Sequence, residues 1–170
     1  EKGEEGLVLS SGMAAVSSVL LGLLKAGDHV IFQQGLYGGT HHFVKTELPR
    51  MGIEYDMIHG STPEDFDKYK RGRTRMLYVE SPANPLLSIL DLQALAAWAR
   101  DHNIISVIDN TFASPVNQTP LELGFDVVLH SGTKYLGGHS DLTSGAVVTS
   151  REYITSIHNT SANFGGSLNA

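Results

Sequence analysis

Four stretches of this sequence hold residue types that could do chemistry, and each is set beside a run of apolar residues. Lys134, in His130-Ser131-Gly132-Thr133-Lys134-Tyr135, follows the apolar run Asp126 to Leu129. A lysine placed there can be partly desolvated, which favours the neutral, nucleophilic amine that attacks carbonyls. A lysine taken by itself is more often a solvated surface cation. Ser131 and Thr133 add two hydroxyls beside it. Asp109 closes the run Ile104-Ile105-Ser106-Val107-Ile108, where a carboxylate is costly unless it meets a cation or several donors, or caps the next turn. Ser10-Ser11-Gly12-Met13 is a small-residue turn into a helical pattern. Its free backbone N–H groups and the positive end of the helix dipole could hold a phosphate; Ser before a helix is also a plain N-cap. Leu36-Tyr37-Gly38-Gly39-Thr40 offers a ring flanked by glycines, able to lie over a flat ligand or to pack in a turn.

These groups can act together only if one scaffold brings them to a common edge. Short β-rich apolar runs alternate with segments of helical periodicity, which predicts an α/β layered fold on a mostly parallel sheet. In such sheets ligands gather at the carboxyl ends of the strands. Strands are expected at Leu7–Leu9, His29–Phe32, Glu54–Ile58, Met76–Glu80, Ile104–Asp109, Asp126–His130 and Gly145–Thr149, seven in all. Met13, Val16, Val19, Leu20, Leu23 and Leu24 recur at the spacing of an amphipathic helix, with Lys25 suited to its last turn and Gly27 to its stop. Further helices are expected at Gly39–Leu48, Pro63–Lys70 and Asp91–His102, the last with Asp91 as N-cap and Leu92, Leu95, Ala96 and Ala99 facing the sheet. Ser131–Ser144 lacks a helical pattern and is short for a parallel crossover, so the seventh strand is expected to run antiparallel. Arg71–Arg75 reads as a solvated loop.

Composition narrows the field. The chain has 170 residues, enough for one large domain or a piece of something bigger. Hydrophobic residues make up 41% and charged residues 18%, against about 25% charged in typical domains, which disfavours disorder and coiled coil. A net charge of -6 leaves no footprint for nucleic acid. There is no cysteine, so no disulfide framework, thiol nucleophile or thiolate metal site. The longest apolar stretches fall far short of the ~20 residues of a membrane span. The chain starts at Glu1 without a signal-peptide pattern, and we read it as an internal piece of a cytoplasmic protein. Neither a Walker A loop nor a G-x-G-x-x-G fingerprint is present. The eight histidines, His130 and His139 among them, are scattered without a metal-binding pattern, so no metal is expected.

An anion cradle, a carboxylate, an amine and an aromatic face are the parts that pyridoxal phosphate needs. At this point five motifs are recognisable in order along almost the whole chain: Ser11-Gly12-Met13-Ala14-Ala15, Tyr37-Gly38-Gly39-Thr40, Glu80-Ser81-Pro82-Ala83-Asn84-Pro85, Val107-Ile108-Asp109-Asn110-Thr111-Phe112 and Ser131-Gly132-Thr133-Lys134-Tyr135-Leu136-Gly137-Gly138-His139. Together they resemble the large domain of the cystathionine/methionine-metabolism family of pyridoxal-phosphate enzymes. The resemblance implies a three-layer α/β/α domain like that of aspartate aminotransferase, with a mostly parallel seven-stranded sheet over residues 1–170. It implies that Lys134 forms the Schiff base and shuttles protons, and that Asp109 pairs with the ring nitrogen. Tyr37 would stack on the ring and act in proton transfer, the Gly12 and Met13 amides with the Ser131 and Thr133 hydroxyls would bind phosphate, and Asn84 would lie near the ring oxygen or substrate. Glu80, Thr111 and His139 receive no role.

The activity implied is trans-sulfuration: elimination or replacement at the β or γ carbon of cystathionine- or homoserine-type amino acids. Cystathionine lyase or synthase comes first and O-acetylhomoserine sulfhydrylase second; methionine γ-lyases commonly place Cys where Gly39 stands, which counts against that activity. Family members also carry an N-terminal segment that completes a neighbouring subunit's site and a C-terminal small domain that holds the substrate carboxylate. Neither is present here, so these residues alone are expected to show little turnover, and a catalytically silent fold fragment or assembly module is the reading from another class. The parent is expected to be a homotetramer of two dimers, with no nucleic-acid or membrane partner.

Overall fold

The computed structural model describes residues 1–168; Asn169 and Ala170 lie outside the described residues. Strands β1 (Glu5–Leu9), β2 (His29–Gln33), β3 (Glu54–Ile58), β4 (Thr74–Glu80), β5 (Ile105–Asp109), β6 (Val127–Ser131) and β7 (Gly145–Thr149) form one sheet in the order β1-β7-β6-β5-β4-β2-β3. β7 is antiparallel to both of its neighbours, and the other pairs are parallel, as the short helix-free connection before it requires.

Both faces of the sheet are covered, and alternation along the strands sorts the two cores. Phe32, Tyr78, Val107, Leu129 and Val147 point to one face, packed under α1 (Gly12–Leu23), α2 (Gly38–Thr46) and α6 (Arg151–Phe164). Ile31, Leu77, Val79, Ile108 and Val128 point to the other, under α3 (Pro63–Asp67) and α4 (Leu92–Asp101). The expected α4 stripe of Leu92, Leu95, Ala96 and Ala99 is buried there, and Asp91 accepts the Ala94 N–H at 3.0 Å as its N-cap. A short helix α5 (Ser114–Asn117) follows β5. The fold is therefore the three-layer α/β arrangement that the alternation implied.

Several boundaries differ from expectation. α1 ends at Leu23, with Leu24 extended and buried. Lys25 and Gly27 belong instead to a turn that the Asp28 carboxylate closes by accepting the Lys25 N–H at 2.9 Å. α2 stops at Thr46 and passes into a 3₁₀ turn at Pro49–Met51, because Pro49 has no N–H to extend the ladder. α3 is shorter than Pro63–Lys70. The stretch Arg71–Arg75 is no free loop: Arg71 bridges Glu54 at 2.8 Å and Asp56 at 2.6 Å, and Thr74 begins β4. The helix α6 was not legible in the sequence, since among its 14 residues only Ile157 and Ser161 are buried. Its partner supplies the reason it forms there: Gly22 of α1 lets the two backbones approach, and a Cβ at that position would lie 3.1 Å from Ile157 Cα.

Gly145, at the start of β7, fixes how the first turn of α1 meets the sheet. A side chain there would collide with the Ser11 carbonyl and lie 3.2 Å from Ala15 Cβ. Gly145→Ala is expected to destabilise the protein by about 1–3 kcal/mol, the usual cost of overpacking. Gly72→Ala, with nothing within 4 Å of the new methyl group, is expected to change stability by less than about 0.5 kcal/mol. Urea unfolding of the two variants checks this, and equal midpoints would sink the packing argument.

Candidate active site

The carboxyl ends of β4, β5 and β6 and the first turn of α1 surround one cleft of about 820 Å³. Ser11 serves α1 as its N-cap: its hydroxyl accepts the Ala14 N–H at 3.0 Å, and its carbonyl accepts from Ala15 at 3.1 Å. The next amides, of Gly12 and Met13, belong to the first turn, where no helical acceptor exists, and both residues line the cleft. Gly12 packs so closely on Ser131 at the end of β6 that a Cβ would lie 2.8 Å from Ser131 Cβ and 2.9 Å from its Oγ. The plain N-cap and the anion cradle are thus the same turn, with Ser131 closing its far side.

Asp109 stands at the end of β5. One of its oxygens accepts both the amide N–H of Thr111, at 3.0 Å, and the Thr111 hydroxyl, at 2.5 Å. The Thr111 hydroxyl oxygen in turn accepts the Ser131 N–H at 2.7 Å. Thr111, without a role on sequence grounds, therefore ties the carboxylate to the anion cradle. An Asp followed two residues later by Thr is the signature of such a turn. Although Asp109 opens on the cleft, the atoms packed around it desolvate it, and burial pushes its carboxyl above the usual range while the Thr111 hydrogen bonds and His130 oppose the rise. No described cation is ion-paired with it, so a cationic ligand atom in the cleft would relieve the desolvation.

Glu80 ends β4 as the register partner of Asp109. It is almost wholly buried, and both oxygens accept the Tyr37 N–H, at 2.9 and 3.1 Å. Burial first, and the charge of Asp109 second, push its carboxyl up to about 8. The same sequence signal that singled out Asp109, a carboxylate closing an apolar strand, marks Glu80 as well. Tyr37 itself is about half exposed at the cleft. Gly39 leaves room for its ring, since a Cβ at that position would lie 2.7 Å from a ring carbon. Asn84 borders the cleft beyond β4, its N–H 3.5 Å from Glu80.

Lys134 lines the cleft from the loop after β6 and is exposed, where the sequence suggested partial burial. Thr133 lines the cleft beside it. Its hydroxyl donates to the Ser144 carbonyl at 3.2 Å and accepts the Ser144 N–H at 3.0 Å, so its proton braces the 132–144 loop. His130 is buried beneath the site, 2.7 Å from a Glu1 oxygen, and His139 contacts only its own loop, 3.1 Å from the Gly137 carbonyl. Opposite the cradle, Phe112 and Tyr135 meet edge to face at 6.4 Å to form part of the wall.

The donor set fits pyridoxal phosphate: a cradle that any side chain at residue 12 would fill, a carboxylate with no cation to pair with, a ring at the rim and an amine open to the cleft. The family model for Cys/Met metabolism PLP-dependent enzymes matches residues 1–170. The chain is 45% identical over 169 residues to the cystathionine gamma-lyase of Bacillus subtilis (strain 168), covering 99% of this chain and 44% of that protein. It is 46% identical over 158 residues to an L-methionine gamma-lyase of Fusobacterium nucleatum, covering 92% and 40%. The crystal structure of cystathionine gamma-lyase from Lactobacillus plantarum complexed with L-serine superposes with a TM-score of 0.93 at 40% identity, over 98% of this chain and 44% of that one. The chain thus spans less than half the length of these relatives. Fold and site define a pyridoxal-phosphate-dependent enzyme. The chain belongs to the Cys/Met metabolism family of these enzymes.

Glu80 gives the site a pH signature. A carboxyl whose folded value lies near 8, against 4.5 unperturbed, contributes stability that is full below about 4.5 and is lost as pH rises through about 8. In the cofactor-free protein, Glu80→Gln is therefore expected to gain stability relative to wild type between those limits, with a constant difference above them. Thermal melts from pH 4 to 9 measure it; a difference independent of pH would show that folding does not raise the Glu80 carboxyl.

Proposed function

We propose that the protein carrying this chain acts on cystathionine- or homoserine-type amino acids, eliminating or replacing the group at their β or γ carbon. The observation that carries the reading is the convergence on one cleft of Lys134, Asp109 with its Thr111 strut, and the Gly12–Ser131 cradle. Pyridoxal phosphate bound there supplies an electron sink for the charge left at a substrate α-carbon. The Gly12 and Met13 amides and the Ser131 and Thr133 hydroxyls would bind its phosphate, the Thr133 hydroxyl also being bonded to Ser144 of its own loop. Asp109 holds a proton on the ring nitrogen, Tyr37 covers the ring and carries protons, and Asn84 lies toward the ring oxygen or the substrate. The Lys134 amine, open to the cleft, anchors the aldehyde and moves the α-proton of the bound amino acid.

Within this class we favour a cystathionine lyase or synthase, with sulfhydrylase second. Gly39 supports that order over methionine γ-lyase, because the Tyr37 ring occupies the space a larger residue 39 would need. We further infer that residues 1–170 are an incomplete large domain within a longer chain and that the protein works as a homotetramer. Exposed Val116, Leu86 and Ile89 supply apolar surface for such contacts. Lack of cysteine supports a cytoplasmic location, and among the described residues no helix is long and apolar enough to cross a membrane.

Addition of pyridoxal phosphate to the full protein is expected to produce a visible absorption band that borohydride fixes onto Lys134, as peptide mapping would show. Lys134→Ala should lose the band and lower turnover of cystathionine or O-acetylhomoserine by at least about 10²-fold. An unmodified Lys134 overturns the mechanism, and a protein that stays colourless is a silent module. Identification of the keto acid or thioether formed from each substrate separates the activities.

A further inference from the structure

Glu80 is buried beside a cleft whose chemistry does not require it, and its hydrogen bonds show what it holds. Its own N–H donates to Gln33 Oε1 at 2.9 Å, which fastens the end of β4 to the end of β2. Its side chain accepts the Tyr37 N–H at both oxygens, at 2.9 and 3.1 Å. Tyr37 occupies the N-cap position of α2, and its side chain makes no capping bond. Its ring fills the slot left by the missing side chain of Gly39, next to the Met13 sulfur, with nearly half of the residue exposed. With so little covering the ring, its direction depends on where the backbone is pinned. Asp109 lies beside Glu80 and the Tyr78 phenol beneath both, so the acidic groups around it leave the Tyr37 amide as its closest donor.

We propose that Glu80 is a positioning residue: its carboxyl pins the Tyr37 amide to the end of β4, so that the Tyr37 ring stays over the cleft next to Asp109 instead of swinging out with the loop. The inference rests on the reading of the cleft as a pyridoxal-phosphate site. Glu80 acts through Tyr37 and touches no reacting atom. Its requirement is an acceptor at the right distance, which an amide oxygen also supplies and a methyl group does not.

The test is a double-mutant cycle on the dissociation constant for pyridoxal phosphate, measured by absorbance titration in the full protein. Tyr37→Ala and Glu80→Ala are each expected to bind about tenfold more weakly than wild type, roughly the worth of one well-placed aromatic contact. The double variant should be within about twofold of Tyr37→Ala alone, because the pin has nothing left to hold. Glu80→Gln should restore binding to within about threefold of wild type. Should Glu80→Ala fail to fold, Glu80→Asp, which withdraws the carboxyl by one methylene, takes its place in the cycle. Additive losses, a silent Glu80→Ala, a Tyr37→Ala that binds like wild type, or a Glu80→Gln as weak as the alanine variant each overturn the proposal. Those outcomes leave the site intact, since wild type still binds; a wild-type protein that binds no pyridoxal phosphate removes the site and the pin together.

Discussion

The close seating of the first turn of α1 against the ends of β6 and β7 is the constraint on which the rest of the site depends. Gly145 admits the Ser11 carbonyl, and Gly12 admits the Ser131 side chain; neither contact leaves room for a Cβ. Ser11 then spends its hydroxyl and carbonyl on Ala14 and Ala15, so the helix is capped from within and the Gly12 and Met13 amides remain for a ligand. A helix N-terminus is a modest anion site alone. Seated beside a strand-end serine, it becomes one with donors on two sides.

The second constraint is the pairing of two carboxyls at adjacent strand ends. Asp109 and Glu80 sit in register in a poorly solvated place, where two negative charges side by side are expensive. Their surroundings separate them. Asp109 receives two hydrogen bonds from Thr111 and opens on the cleft, where a cationic ring nitrogen would meet it. Glu80 is buried with its oxygens on backbone N–H groups, and burial together with the charge of Asp109 pushes its carboxyl up to about 8. One carboxyl is left to meet a ligand and the other holds backbone.

How much could be read before the structure depended on how local the cause was. Strands β3 and β7 match their expected bounds at both ends, because alternation and flanking turn residues are properties of the segment itself. The capping role of Asp91 is equally local. Helix α6 escaped notice since its few apolar residues become a face only when laid against Gly22 of α1. Arg71 and Arg73 read as solvated until β3 brought Glu54 and Asp56 alongside. Of the site residues, Lys134, Asp109, Tyr37, Gly12, Met13 and Ser131 all border the same cleft at or beside strand ends, and Asn84, named through the family resemblance, borders it as well. Thr133 borders it too, and its hydroxyl also holds Ser144 of the same loop, a contact that no sequence pattern encodes.

Sequence by itself therefore determined the residue types, their places at strand ends, the layered α/β class and the family, because each follows from periodicity and motif order along the chain. Only the tertiary structure decided which groups share a hydrogen bond: Thr111 with Asp109 and Ser131, Glu80 with Tyr37, Thr133 with Ser144. Such partners lie up to tens of residues apart, and a difference of an ångström or one rotamer settles whether a donor reaches its acceptor. That distance is set by how strands and helices pack against one another, and packing is a property of the whole domain.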